Sequence, residues 1–238
     1  MLISTLYVKI RRLHMPVTAD ADIEISAFSW LPPFAQGVAR DMRVRWALEE
    51  AGLAYRTRLL DARLPKDREY YLDQPFGQVP IYDDGEVRLF ESGSIVLHIA
   101  QSVAALMPRD EAGRARTATW VFAAINSVEP PITELNGIDL FNADADWAKA
   151  RRPQVEARVR ERLDRLVDWL GDRDYLEDRF TAGDLVMATV LRFLRHTELV
   201  TERPSLGAYL ARCEARPAFR QALSDHQAAL RQPAPEAA

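Results

Sequence analysis

The residues able to do chemistry stand in two short runs. Glu91-Ser92 opens a stretch where Ile95, Leu97-His98-Ile99 and Val103 recur in a helical rhythm. A serine there sets a hydroxyl beside the free N–H groups of a helix start, whose dipole favours an anion. In a purely structural role the same serine is an N-cap worth about 1 kcal/mol, and the two roles are compatible. Upstream lies Gln78-Val79-Pro80, where residue types alone read Pro80 as a trans proline ending a strand. Thr181 and Asp184, flanked by apolar residues, invite a catalytic reading. Their three-residue spacing suits a capping box, with Phe180 and Leu185 as its hydrophobic staple, and assigns them to folding. Cys213 is the single cysteine, so it forms no internal disulfide and belongs to no Cys cluster for zinc; a buried structural thiol is its default role. His98 and His196 lack metal-ligand spacing, and no metal is expected.

These residues need elements to place them. Ile23 to Phe28 alternates with period two and predicts a strand. After a loop with Pro32-Pro33, Val44, Ala47, Leu48 and Ala51 predict a helix capped by Gly52. Tyr55 to Leu60 predicts a second strand, and residues 66–73 a short polar segment or brief helix. Val79 to Tyr82 and Glu86 to Phe90, around Asp83-Asp84-Gly85, predict a hairpin. A strand-helix-strand start favours parallel pairing and the hairpin is antiparallel, so a small mixed sheet is expected. Beyond Pro108 strand signals vanish. Arg114 to Val128 predicts a helix stopped by Pro130-Pro131. Val155, Val159, Leu163, Leu166 and Leu170 form an apolar stripe ending at Gly171. Leu185 to Leu194 is apolar all round and belongs at a bundle centre. Two short helices between Pro204 and Leu230, broken near Pro217, complete the set, with a frayed tail from Pro233 to Ala238.

At 238 residues and 48% hydrophobic, the chain can bury a core. Its net charge of -4 argues against non-specific nucleic-acid binding. The mixed-sign run Arg40-Asp41-Met42-Arg43-Val44-Arg45 reads as a solvated helix face. No apolar run has the length of a membrane span, and the lone cysteine fits a cytoplasmic setting. Residues 1–21 read as a leader without regular structure, because apolar residues precede Arg11-Arg12, the reverse of a secretory signal. Met15 as the true start and a mitochondrial presequence are the alternatives.

Three stretches together carry a resemblance. Gly77-Gln78-Val79-Pro80-Ile81, Asp84-Gly85 and Leu89-Phe90-Glu91-Ser92-Gly93-Ser94-Ile95 resemble the glutathione-binding core of the glutathione S-transferases of the cytosolic, bacterial-like kind. Arg43 to Gly52 is similar to that family's first helix, and Phe180 to Asp184 to its helical-domain cap. The resemblance spans roughly residues 23 to 225. It implies an α/β thioredoxin-like N-terminal domain (22–103) followed by an all-α helical domain (110–232). It also implies a cis Val79-Pro80 bond, with Val79 offering its backbone to the cysteinyl part of glutathione. Ser92 would hold the γ-glutamyl carboxylate, Glu91 the ammonium, and Gln78 the glycyl end.

The implied activity is conjugation of glutathione to a hydrophobic electrophile, in a homodimer. A glutathione-dependent isomerase or reductase and a non-catalytic binding or regulatory module are the alternatives. Family members supply a Tyr, Ser or Cys between the first strand and first helix to activate the thiol. Here Phe28 to Gly37 has neither Tyr nor Cys, and Ser29 is its only hydroxyl. Ser29 is therefore the candidate donor; the alternatives are a plain loop serine, or backbone N–H groups near Phe34 and Ala35. Trp30, Phe34 and Gln36 are expected to shape the pocket. The electrophile is expected between the domains, against Trp30, Phe34 and the helix bearing Trp120, Phe122, Ala123 and Asn126.

Overall fold

The computed structural model describes residues 17–230. The expected leader falls mostly outside them, although Val17 bridges Tyr55; the tail from Pro233 also lies outside. The first half holds β1 (Ile23–Trp30), α1 (Asp41–Ala51), β2 (Tyr55–Asp61), α2 (Arg68–Asp73), β3 (Ile81–Asp83), β4 (Arg88–Phe90) and α3 (Ser92–Gln101). The sheet order is β2-β1-β3-β4, with β1 parallel to β2 and the other two pairs antiparallel. This is the expected mixed sheet. Gly52 closes α1 at φ +65°, left-handed backbone that glycine adopts without a Cβ clash. Asp84 Oδ1 accepts the Glu86 and Val87 N–H groups and shapes the hairpin turn. The third strand starts at Ile81, two residues later than the apolar pattern predicted.

The second half is helical: α4 (Glu111–Ala123), α5 (Glu129–Phe141), α6 (Asp146–Leu170), α7 (Ala182–Leu191), α8 (Pro204–Glu214) and α9 (Pro217–Ala229). All ten residues of α7 are buried, which places it at the bundle centre. A tighter turn, Arg192–Leu194, takes over where the helix was expected to run on. The capping box is present: the Thr181 hydroxyl accepts the Gly183 N–H at 3.2 Å, and Asp184 Oδ2 accepts the Thr181 N–H at 2.9 Å. Asp184 Oδ1 also accepts from the Leu176 N–H and the Tyr209 hydroxyl, tying α7 to its surroundings.

Pro130 and Pro131 do not stop the helical path. A π-type turn, Ala124–Val128, joins α4 to α5, and both prolines sit in the first turn of α5. There a missing N–H costs nothing, because first-turn N–H groups have no intrahelical partner.

The two halves meet along α1. Trp46 is fully buried, with its ring 5.7 Å from Phe180 and 4.9 Å from Phe219. The solvated face expected for residues 40–45 holds for Arg40 alone and is overturned beyond it, since Asp41, Arg43 and Arg45 are each at most 1% exposed. Charged side chains tolerate such burial only when paired. Arg45 meets Asp41 at 2.8 Å, and Asp41 meets His226 of α9 at 3.2 Å. Burial pushes the Asp41 carboxyl up, but His226 and Arg45 outweigh it and hold it below the usual range.

Farther along the α1–α9 contact, burial and the neighbouring charge of Asp225 push the Glu49 carboxyl up to about 8. The folded chain therefore keeps a proton that the unfolded chain releases near 4.5. This contribution is complete below the unfolded value and is lost as pH rises through the folded one. Glu49→Gln should flatten the fall in stability between about pH 5 and pH 8 by about 1–2 kcal/mol, after discounting for its partial contact with water. Urea unfolding of both proteins across that range checks the slope.

Candidate functional site

Glu91 lies between β4 and α3 with φ +68° and ψ 108°, the only non-glycine positive φ among the described residues. Such a conformation costs on the order of 1–3 kcal/mol and persists where its surroundings enforce it. Ser92 follows at the start of α3, 4% exposed. Its hydroxyl does not cap its own helix but accepts from Arg43 Nη1 at 3.1 Å.

Arg43 is the centre of this arrangement. Besides Ser92 it donates through Nη2 to Glu129 Oε2 at 2.8 Å and through Nε to Thr189 Oγ1 at 3.0 Å. One guanidinium thus joins α1, α3, α5 and α7. Glu129 is itself 4% exposed and takes a second guanidinium, with Arg40 Nη2 at 2.6 Å and Nε at 3.0 Å from Oε1. Burial lowers the Arg43 pKa, against the opposing pull of Glu129. The π-type turn ends directly before Glu129 and sets the helical phase that aims this carboxylate at α1.

Gln78, Glu91 and Ser92 come together on a cavity of about 400 Å³, with Arg40, Arg43, Glu129 and Thr133 on its other walls. Val79 and Pro80 are buried beside Gln78, and their peptide bond is cis. Neither the Val79 N–H nor its C=O has a hydrogen-bond partner among the described residues. The segment is held from behind. The Tyr70 hydroxyl donates to the Gln78 carbonyl at 2.5 Å and lies 3.0 Å from Ser26 Oγ, which accepts the Ile81 N–H at 2.7 Å.

A second cavity of about 380 Å³ adjoins the first and is mainly apolar, lined by Phe34, Val38, Leu140, Phe141 and Phe193. The Phe34 and Phe141 rings meet edge to face at 5.0 Å. Arg40 and Thr133 border both cavities. The β1–α1 loop, which lines the apolar cavity, is anchored to the helical half. The Gly37 N–H donates to His226 Nε2 at 3.0 Å, and Arg195 Nη2 donates to the Phe34 carbonyl at 2.7 Å.

The other residues singled out in the sequence lie elsewhere. Ser29 is on β1, 2% exposed, and its hydroxyl donates to the Leu60 carbonyl at 3.3 Å. Trp30 stacks under Arg63, 5.0 Å from its guanidinium carbon. Trp120 packs on Trp169 at 5.1 Å and donates to Glu177 Oε1 at 3.1 Å. None of these three lines either cavity, whereas Phe34 does. Asn126 borders a separate depression with Arg158 and Arg162. Cys213 is buried, and burial pushes its thiol far up, so it stays unreactive at neutral pH. Among the described residues no group of three or more His, Cys, Asp or Glu side chains could hold a metal ion. None of the described helices is long and apolar enough to cross a membrane.

The sheet order and the helical half together define a glutathione-transferase architecture. Residues 35–101 match the glutathione S-transferase N-terminal domain and residues 149–212 its C-terminal domain. Glutathione S-transferase PARB of Nicotiana tabacum is 31% identical over 174 residues, covering 68% of this chain and 81% of the relative. A glutathione S-transferase of Hyoscyamus muticus is 30% identical over 168 residues, 64% of this chain and 77% of that protein. The chain belongs to the glutathione S-transferase family. A Burkholderia graminis glutathione transferase, solved with two glutathione molecules per subunit, shares the fold at a TM-score of 0.75 and 24% identity, covering 85% of this chain and 87% of that one. Glutathione transferase F2 of Populus trichocarpa shares it at a TM-score of 0.75 and 22% identity, covering 87% and 99%.

Arg43, Glu129, Tyr70 and Arg40 escaped the sequence reading. Nothing in the run Arg40 to Arg45 separates a buried arginine from a solvated one, because its partner Glu129 lies far along the chain. Replacing Arg43 leaves Glu129 Oε2 without its partner, while Oε1 keeps Arg40, and removes the donor that the Ser92 and Thr189 hydroxyls accept from. Arg43→Met should cost about 2–3 kcal/mol in urea unfolding, less than for a fully stranded charge because Arg40 still pairs with Glu129. The double variant Arg43→Met/Glu129→Leu should recover much of that loss, because it removes both charges.

Proposed function

We propose that this chain conjugates glutathione to a hydrophobic electrophile. The observation that carries the reading is the contact between a polar cavity and an apolar one across Arg40 and Thr133. Glutathione would lie in the polar cavity. Ser92, with the α3 N-terminus, would take the γ-glutamyl carboxylate and Glu91 the ammonium. Val79 would pair its free N–H and C=O with the cysteinyl unit, as a strand edge does, and Gln78 would meet the glycyl end. The sulfur then faces the apolar cavity, where Phe34, Phe141 and Phe193 would hold the electrophile. The glutathione half would be residues 22–103 and the helical half 110–232, working as a cytoplasmic homodimer. Phe76, 68% exposed beside Phe90, and Leu72, 79% exposed, are apolar surface that a partner subunit would cover.

A non-catalytic glutathione-binding module is the second reading. It is favoured by Ser29, whose hydroxyl is committed to the Leu60 carbonyl, in a loop with neither Tyr nor Cys. Calorimetry and a conjugation assay separate the two. Glutathione should bind, and Ser92→Ala and Glu91→Ala should each weaken it at least about tenfold, roughly 1.4 kcal/mol. The folded state is checked by circular dichroism, because Ser92→Ala also removes the acceptor for Arg43. With an aryl halide, wild-type protein should consume one glutathione per product. Binding unchanged in both variants would sink the site, and binding without turnover would favour the module.

A further inference from the structure

We propose that Arg40 is a catalytic residue, the cation that holds the glutathione sulfur as a thiolate. The inference rests on the glutathione reading above and adds the activating group which that reading leaves open. The sulfur must reach both its tripeptide site and its electrophile, so it must sit where the two cavities meet. Among the described residues only Arg40 and Thr133 border both. Thr133 offers a neutral hydroxyl and Arg40 a charge. Arg40 spends Nε and Nη2 on Glu129, which fixes the plane of its guanidinium and leaves Nη1 without a partner among the described residues. Ser29 does not compete, since it lines neither cavity and donates to Leu60.

The charge balance favours an anion at this point. Two guanidiniums, Arg40 and Arg43, share the one carboxylate of Glu129, so the trio carries a net positive charge. Arg40 is also the N-cap residue of α1, where the helix dipole adds partial positive charge. The other charged groups facing the junction do not cancel this. Glu134 of α5 is held by Arg151 and Arg158 of α6. Glu91 acts on Arg43 from the polar cavity, and in the glutathione reading its charge is matched by the γ-glutamyl ammonium. Arg195 and His196 border the apolar cavity.

In the step itself the glutathione S–H bond breaks and its proton passes to water. The electron pair stays on sulfur opposite the Arg40 guanidinium. That pair then forms the bond to the electrophilic carbon, and the displaced electrons leave with the leaving group. A thiol with an ordinary pKa near 8.5 is only a few per cent ionised at pH 7, so a nearby cation raises the reactive fraction directly.

The test is the ultraviolet absorbance of the thiolate of bound glutathione as a function of pH. It is paired with the affinity for S-methylglutathione, which has no thiol to ionise. In the wild-type protein the bound thiol should titrate at least about one unit below 8.5. Arg40→Met should return it to about the free value and lower kcat/KM at pH 7 at least about tenfold, with S-methylglutathione affinity kept within about threefold. Arg40→Lys should keep part of the depression, and Thr133→Val all of it. A wild-type thiol titrating as free glutathione does, or a depression surviving in Arg40→Met, overturns the assignment. So does a loss in Arg40→Met matched by an equal loss of S-methylglutathione binding, which would make Arg40 structural. A wild-type protein that binds neither ligand defeats the glutathione reading itself, a result separate from bound glutathione with an unshifted thiol.

Discussion

The burial of Arg43 is the constraint on which the site depends. A guanidinium out of water is tolerated only with its N–H groups satisfied and its charge matched. Arg43 meets that demand with one carboxylate and two hydroxyls, drawn from α5, α3 and α7. Each partner is thereby fixed relative to α1. The start of α3, which carries Ser92, is positioned by the same group that ties the sheet half to the helical half. A residue that looks like surface charge in the sequence is the junction of the molecule.

Glu129 reaches that junction through a local irregularity. A regular helix running on from α4 would present its side chains in steps of about 100°. The π-type turn at Ala124–Val128 changes that phase just before Glu129, and such turns recur at functional sites. Two prolines follow at once and suit a helix start, because they remove N–H groups that have no partner there. Irregular turn, buried acid and paired prolines therefore act together, aiming one carboxylate at two arginines.

Much of the fold was legible because it rests on short-range signals. Alternation marked β1, Gly52 the end of α1, Asp-Gly the hairpin, and Thr181-Asp184 the cap of α7. Gln78, Glu91 and Ser92 were legible for a related reason: they cluster in sequence around one hairpin and converge on one cavity. What escaped depends on long-range pairing. The Arg43–Glu129 pair closes across 86 residues, the Tyr70–Ser26 contact across 44 and the Gly37–His226 bond across 189. No periodicity records such partners. The prolines misled because their local rule describes a helix interior, whereas their place in the first turn depends on where the next helix begins.

The hydrogen bond from Arg43 also alters what Ser92 can do. A serine that caps its own helix accepts a backbone N–H and draws its polarity from that helix alone. Here the hydroxyl oxygen accepts from a buried cation instead, so its own proton is available to a group in front of it. Hydrogen bonds with an ionised partner are roughly twice as strong as neutral ones, and chains of them polarise one another. Ser92 is therefore a stronger donor than an isolated serine, and the free N–H groups of α3 add to it. The anion-favouring character first read from Glu91-Ser92 thus has two sources: a helix start visible in the sequence, and a buried arginine that folding brings up behind it.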